Sequence, residues 1–323
     1  MMQFHEHSLS SINEKAFVLG GLFLTVMLLA LVGQAAEKKT KPTLAYPTDV
    51  RVDPDAAYLE ADRKEKADLY FPLEKTEKKQ IPAVIVIHGG GFNDGDKASG
   101  REINISRHLA LNGYVAMSIN YKLRKSQGQV TWPQCVYDAK TAVRWLRKNA
   151  EKLGIDPERI GVIGCSAGGN LAAMLATTGP TDEFDSNGPY LEFPSSVKCA
   201  IDFYGAVDLM NYHDMKMFAK TRVEAPELYK KGSPITYVDA KDSPILLVHG
   251  TADETVPLSQ SETLATVLKA KGVEHDLIII PDGAHTFHLE SADLDLRPQV
   301  FAFFQKHLGA VSISSPPKAQ SRN

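Results

Sequence analysis

The stretch VIGCSAGGNLAAM, residues 162–174, opens as an apolar run fit for a buried strand and closes as the start of a helix, with Ser166 at the join. Gly164 and Gly168 flank the serine, giving G-x-S-x-G in the context that gives the motif meaning, a strand before and a helix after. Glycines on both sides remove Cβ atoms that would clash in so sharp a turn, and Gly169 lets the helix pack against the strand. Such a turn lifts a hydroxyl above the carboxyl edge of a sheet and sets it over a helix N-terminus, where developing negative charge is favoured. The ordinary alternative is a glycine-rich turn with an incidental serine. What decides between them is whether the chain also supplies the base and the carboxylate that a serine nucleophile needs.

It supplies both. ILLVHGTADETVP (245–257) sets Asp253 in the loop leaving an apolar run, and IIIPDGAHTFH (278–288) sets His285 in the loop leaving the last such run. The order Ser166, Asp253, His285, with each partner at the carboxyl end of a later strand, is one in which a serine nucleophile, its acid and its base occur. Asp208 is the competing acid, one strand earlier, while Glu254 points away and Asp282 reads as a turn residue. His288 is the competing base; His285 is favoured because Gly283 and Ala284 let its loop reach inward, and Phe287 can pack to hold that loop. His88 and His249 precede glycines at strand ends and read as histidines hydrogen-bonded within their own loops.

HGGGF (88–92) adds the remaining part. Acyl transfer passes through an oxyanion that needs unobstructed N–H donors; Gly90 and Gly91 can present two and Ala167, next to the nucleophile, a third. A phosphate cradle is the rival reading of these glycines, but no G-x-x-x-x-G-K-[ST] pattern follows them. No zinc-ligand spacing and no 20–50-residue repeat is present.

These residues need a scaffold, and the chain between its two ends alternates strand-like with helix-like segments. Strands are predicted at 66–73, 81–92, 113–123, 159–166, 197–205, 244–250 and 273–283, and helices at 133–154, 259–272 and 297–309. That is an α/β fold, a mostly parallel twisted sheet with helices on both faces. The segment between Gly205 and Ser243 is either a small lid or a surface helix. With 323 residues, 43% hydrophobic and 23% charged, the composition is globular, and a net charge of −3 gives no basic field for nucleic acid.

The N-terminus stands apart. Residues 16–32 are apolar and uncharged, and Gly33 and Ala35 fit the small-residue positions of a cleavage after Ala35. Residues 1–35 therefore read as a signal peptide of a secreted or periplasmic protein, with an uncleaved membrane anchor as the alternative. Residues 36–59 form a lead-in, 60–309 the catalytic domain and 310–323 a frayed tail. Cys135, Cys165 and Cys199 read as buried thiols rather than a disulfide framework; Cys165 is expected to be inert, since no cationic neighbour is apparent.

HGGGFNDGD, GCSAGGNLAA, HGTADETVP and GAHTF, in this order, resemble the α/β-hydrolase esterases of the hormone-sensitive-lipase-like group, above all their carbohydrate-esterase and feruloyl-esterase-like (BD-FAE-like) branch. The resemblance covers roughly residues 60–309. It implies the α/β-hydrolase fold, a Ser166–Asp253–His285 triad and an oxyanion hole from Gly90, Gly91 and Ala167, with no metal or cofactor. Cys165 departs from the lipase branch, where an acidic residue often stands, and the short segment before HGGGF leaves little material for that branch's N-terminal cap. Both departures speak for short-acyl esters of small molecules or carbohydrates, acetyl and feruloyl groups among them, rather than long-chain lipids. An amidase of the kynurenine formamidase kind shares the same parts, and a catalytically silent binding module on this fold is the alternative from another class.

Overall fold

The computed structural model describes residues 45–73 and 80–311, so the expected leader at 1–35 and most of the tail at 310–323 lie outside the described residues. The elements in chain order are β1 (Arg51–Ala56), β2 (Ala67–Phe71), β3 (Ile81–Ile87), α1 (Gly100–Leu111), β4 (Val115–Ile119), α2 (Gln134–Lys148), α3 (Ala150–Leu153), β5 (Ile155–Cys165) and α4 (Ala167–Thr177), followed by β6 (Cys199–Phe203), α5 (Pro226–Lys231), β7 (Ile245–Gly250), α6 (Ser259–Lys271), β8 (His275–Ile280) and α7 (Arg297–Leu308).

The strands form one sheet in the order β1-β2-β4-β3-β5-β6-β7-β8. β2 runs antiparallel to both its neighbours, and every pair from β4 to β8 is parallel. A parallel strand is covered on both sides, which is why β3, β5, β6 and β7 read as apolar runs without alternation. Alternate residues serve two cores. Ile85 and Ile87 of β3 join Val136 and Val143 of α2, Leu171 of α4 and Leu264 of α6. Val84 and Val86 join Ile105 and Leu109 of α1 and Val300 and Phe304 of α7. Helices thus lie on both faces, as the alternation of segments predicts.

Three elements differ from the sequence expectation. β1 lies within the expected lead-in and pairs with β2, so the sheet begins before residue 60. α1 was not predicted, because it buries Glu102, Ser106 and His108 along with its apolar residues and so lacks a clean apolar stripe. The helix expected at 133–154 breaks at Asn149 into α2 and α3. The 206–243 segment is a short cap of irregular chain: 3-10 turns at Leu209–Asn211, Lys216–Phe218 and Pro234–Tyr237, and the single helix α5. Among the described residues no helix is long and apolar enough to cross a membrane.

Candidate active site

Ser166 stands between β5 and α4 at φ 57° and ψ −116°, a conformation that costs a non-glycine residue about 1–3 kcal/mol unless its surroundings impose it. The surroundings do. The Ser166 N–H donates to Phe203 O at 2.8 Å and its carbonyl accepts from Asn170 N at 3.0 Å, pinning the elbow to β6 and to the first turn of α4. A Cβ on Gly164 would stand 1.9 Å from Gly168 O, and one on Gly168 would stand 2.1 Å from Ile87 O. Only glycine fits at either flank.

The acid and base loops are fastened edge to edge at the ends of β7 and β8. Ala252 N donates to Gly283 O at 3.0 Å, Thr251 N to Ile280 O at 3.0 Å and Asp282 N to Thr251 Oγ1 at 2.8 Å. Asp253 is brought into line by two backbone donors, Thr255 N at 2.9 Å and Val256 N at 2.8 Å, both on Oδ1. Its Oδ2 lies 2.6 Å from His285 Nδ1, and His285 Nε2 lies 3.0 Å from Ser166 Oγ. A carboxylate oxygen only accepts, so Nδ1 carries the proton and Nε2 presents its lone pair to the serine hydroxyl. Three loops from three strands thus meet in one hydrogen-bonded row.

The competing candidates lie elsewhere. Asp208 accepts from Asn211 N and Nδ2 and caps a 3-10 turn. Asp282 occupies an exposed turn at φ 54°, and Glu254 is exposed. His88 and His249 are buried in loop hydrogen bonds, and burial lowers the pKa of both, that of His88 to about 4. His249 braces the acid loop: its Nε2 donates to Val256 O at 2.8 Å and its Nδ1 accepts from Ser261 Oγ at 2.7 Å. His288 is half-buried, and desolvation followed by the charge of Arg101 lowers its pKa. Phe287 packs on Phe203 and Tyr204, with ring centroids 5.5 and 4.6 Å away, and so holds the base loop.

Beside Ser166 opens a cavity of about 460 Å³ lined by Gly90, Gly91 and Ala167, with Tyr212, His213 and Lys216 at its cap side. Gly90 and Gly91 have φ of 109° and 59°, and a Cβ on Gly90 would meet Asp94 O at 2.0 Å. Ala167 is the first residue of α4, where a backbone N–H has no partner within the helix. Asn93 Nδ2 donates to Gly91 O at 2.6 Å and steadies the glycine loop. Tyr212 Oη donates to Thr255 O at 2.7 Å, tying the cap to the acid loop.

Two residues of the site escaped the sequence reading. Tyr204, at φ 47° after β6, sets its ring against His285 with centroids 4.7 Å apart in an edge arrangement. Its hydroxyl donates to Phe287 O at 3.1 Å and accepts from Arg101 Nη1 at 3.2 Å. Arg101 also lines the cavity and pairs with the buried Glu102 at 3.0 Å. The one available signal was a phenol directly after a strand that ends at the site edge. Arg101 also corrects the expectation for Cys165, which does have a cation nearby. Burial outweighs that cation and pushes the thiol up to about 12, so it stays protonated. All three cysteines are buried and unpaired. Among the described residues no group of three or more His, Cys, Asp or Glu side chains could hold a metal ion.

The family model BD-FAE matches residues 67–268, which take in the elbow and the acid but stop before His285. The chain belongs to the BD-FAE family. This BD-FAE chain is 29% identical over 292 residues to Esterase LipQ of Mycobacterium tuberculosis, an alignment covering 81% of this chain and 66% of LipQ. It spans about half to two thirds of the length of the curated relatives it matches. Among solved structures it is similar to a truncated carbohydrate esterase from gut microbiota, with a TM-score of 0.74 and 28% identity, covering 81% of this chain and 99% of that one. It is also similar to the esterase Est2 of Thermogutta terrifontis in its butyrate-bound form, with a TM-score of 0.68 and 26% identity, covering 83% and 97%. The fold is the α/β-hydrolase fold, and the chain sits with the hormone-sensitive-lipase-like esterases in their BD-FAE branch.

Proposed function

We propose that the protein is a carboxylic ester hydrolase that cleaves short-acyl esters through an acyl-enzyme on Ser166. The reading rests above all on the unbroken row Ser166 Oγ, His285 Nε2, His285 Nδ1, Asp253 Oδ2, with spacings of 3.0 and 2.6 Å, opening into a cavity walled by Gly90 and Gly91. His285 takes the serine proton as Oγ attacks the ester carbonyl, and Asp253 stabilises the imidazolium that forms. The N–H groups of Gly90, Gly91 and Ala167 receive the oxyanion. The imidazolium then returns its proton to the departing alcohol, and a water activated by the same nitrogen releases the acid.

The substrate class we read as acetyl or feruloyl esters of carbohydrates, acted on after export through cleavage at Ala35. Membership of the BD-FAE family and the likeness to a carbohydrate esterase and to a butyrate-bound esterase support it. The test is hydrolysis of p-nitrophenyl acetate and of acetylated xylo-oligosaccharide by the purified protein and its Ser166→Ala variant. Turnover lost in the variant is expected; no turnover in the unaltered protein, or undiminished turnover in the variant, would overturn the reading.

A further inference from the structure

A second cavity, of about 730 Å³, shares Asp214, Met215 and Lys216 with the catalytic one, so a single stretch of the cap walls both. It carries four cations, Arg124, Lys125, Lys216 and Lys220, against two carboxylates, Asp214 and Glu224. Among the described residues none of the four cations forms an ion pair. The carboxylates are already engaged: Asp214 Oδ1 accepts from Arg222 N and Nε at 2.9 and 3.2 Å, and Glu224 Oε2 accepts from Thr221 N and Oγ1 at 2.7 and 2.8 Å. Asp214 Oδ2 and Glu224 Oε1 accept nothing from the described residues.

The cavity therefore carries an excess of positive charge, even with Lys220 near Glu224, beside carboxylate oxygens with spare accepting capacity. A uronate sugar is complementary to both, through its carboxylate on the cations and its hydroxyls on Asp214 and Glu224. Arg124 connects this cavity to the catalytic one. Its Nε donates to Asn93 Oδ1 at 2.6 Å and its Nη1 to Ser126 O at 3.0 Å, leaving Nη2 for a ligand. Asn93 in turn holds Gly91 O at 2.6 Å, and Arg124 N donates to Phe92 O at 2.8 Å. An anion seated on Arg124 would thus lie one side chain away from the glycine loop.

We propose that this second cavity is a subsite for a carboxylate-bearing sugar, so that the ester at Ser166 is presented by an acidic oligosaccharide. The proposal builds on the esterase reading above and adds the charge of the alcohol moiety. Isothermal titration of the Ser166→Ala protein with unesterified trigalacturonate and with xylotriose tests the subsite without turnover. p-Nitrophenyl acetate hydrolysis by the unaltered enzyme tests the esterase reading separately. Trigalacturonate is expected to bind more tightly than xylotriose, and the difference to vanish in about 0.5 M sodium chloride, where screening shortens to a few ångström. Adding Lys125→Gln with Lys220→Gln, surface changes that leave the core untouched, should weaken trigalacturonate binding by about fivefold and leave xylotriose binding where it was. In turnover, the kcat/KM ratio of acetylated oligogalacturonide to acetylated xylo-oligosaccharide should fall by a similar factor, through KM. Equal binding of the two sugars, or a preference untouched by salt and by the lysine changes, would overturn the proposal. Tighter binding of a sulfated oligosaccharide of equal charge would overturn the carboxylate assignment.

Discussion

Ser166, His285 and Asp253 are separated by long stretches of chain, yet the role proposed for each follows from what its side chain can do at its position. The hydroxyl needs Nε2 and Nδ1 needs the carboxylate, and the observed spacings of 3.0 and 2.6 Å meet both needs. Ser166→Ala and His285→Ala should each lower kcat by about a thousandfold or more with the fold intact, whereas His288→Ala should be mild. Steady-state kinetics with p-nitrophenyl acetate, alongside circular dichroism, measures all three. With His285 as base, activity should rise with pH as the imidazole loses its proton. The residues of the row Ser166, His285 and Asp253 were legible because small residues and strand-end positions mark them. Tyr204 was not, because a phenol after a strand carries no motif, and its role appears only once Phe287 and Arg101 converge on its hydroxyl. Tyr204→Phe keeps the ring against His285 but frees the base loop from that hydroxyl. It should lower kcat roughly tenfold, the worth of one lost hydrogen bond, with KM little changed.

The elements place these side chains, and the tightest joint is where β5, α4, β3 and β6 crowd together. A methyl group on Gly168 would collide with Ile87 O, so Gly168→Ala should cost about 1–3 kcal/mol or more and disable the nucleophile, read as a fall in melting temperature together with activity. Asp202 of β6 is wholly buried behind the same joint. Its Oδ1 accepts from Gly205 N at 2.8 Å, while its Oδ2 has no partner among the described residues. Desolvation pushes its pKa from 3.8 up to about 7. A carboxyl raised on folding stabilises the protein when protonated, and that contribution is lost as pH climbs from about 4 through about 7. Asp202→Asn, which supplies a neutral donor at Oδ2, should therefore gain melting temperature over the unaltered protein progressively across that range. An advantage independent of pH would count against it. At this scale the parallel strands were legible as continuous apolar runs. α1 was hidden because its inward face carries Glu102, Ser106 and His108, and β1 because an edge strand of exposed residues has no pattern to betray it.

Across the whole molecule, the sheet leaves its carboxyl edge to the loops, and the cap of residues 206–243 closes over one side of them. The cap's course was not legible: its 3-10 turns and single short helix give no period to read, and Tyr212, His213 and Lys216 reach the cavity only through the fold. A long-chain lipase seats its acyl group in a long apolar tunnel, whereas among the described residues those polar side chains rim a cavity of about 460 Å³. Each methylene seated in such a tunnel would add about 0.8 kcal/mol, and specificity would then climb with acyl length. Across p-nitrophenyl esters from acetate to decanoate, kcat/KM should instead peak at about two to four carbons, as expected where Tyr212, His213 and Lys216 rim the cavity. A steady rise through octanoate and beyond would mean the cap folds back to form a lipase tunnel.

Chemistry through a covalent bond to Ser166 would leave a trace that intact-protein mass spectrometry with peptide mapping can read. The protein is treated with a fluorophosphonate while p-nitrophenyl acetate hydrolysis is followed. One adduct per chain is expected, mapped to the peptide containing Ser166 and appearing in step with loss of activity. An adduct on any other residue, or full activity in protein already carrying the adduct at Ser166, would contradict it.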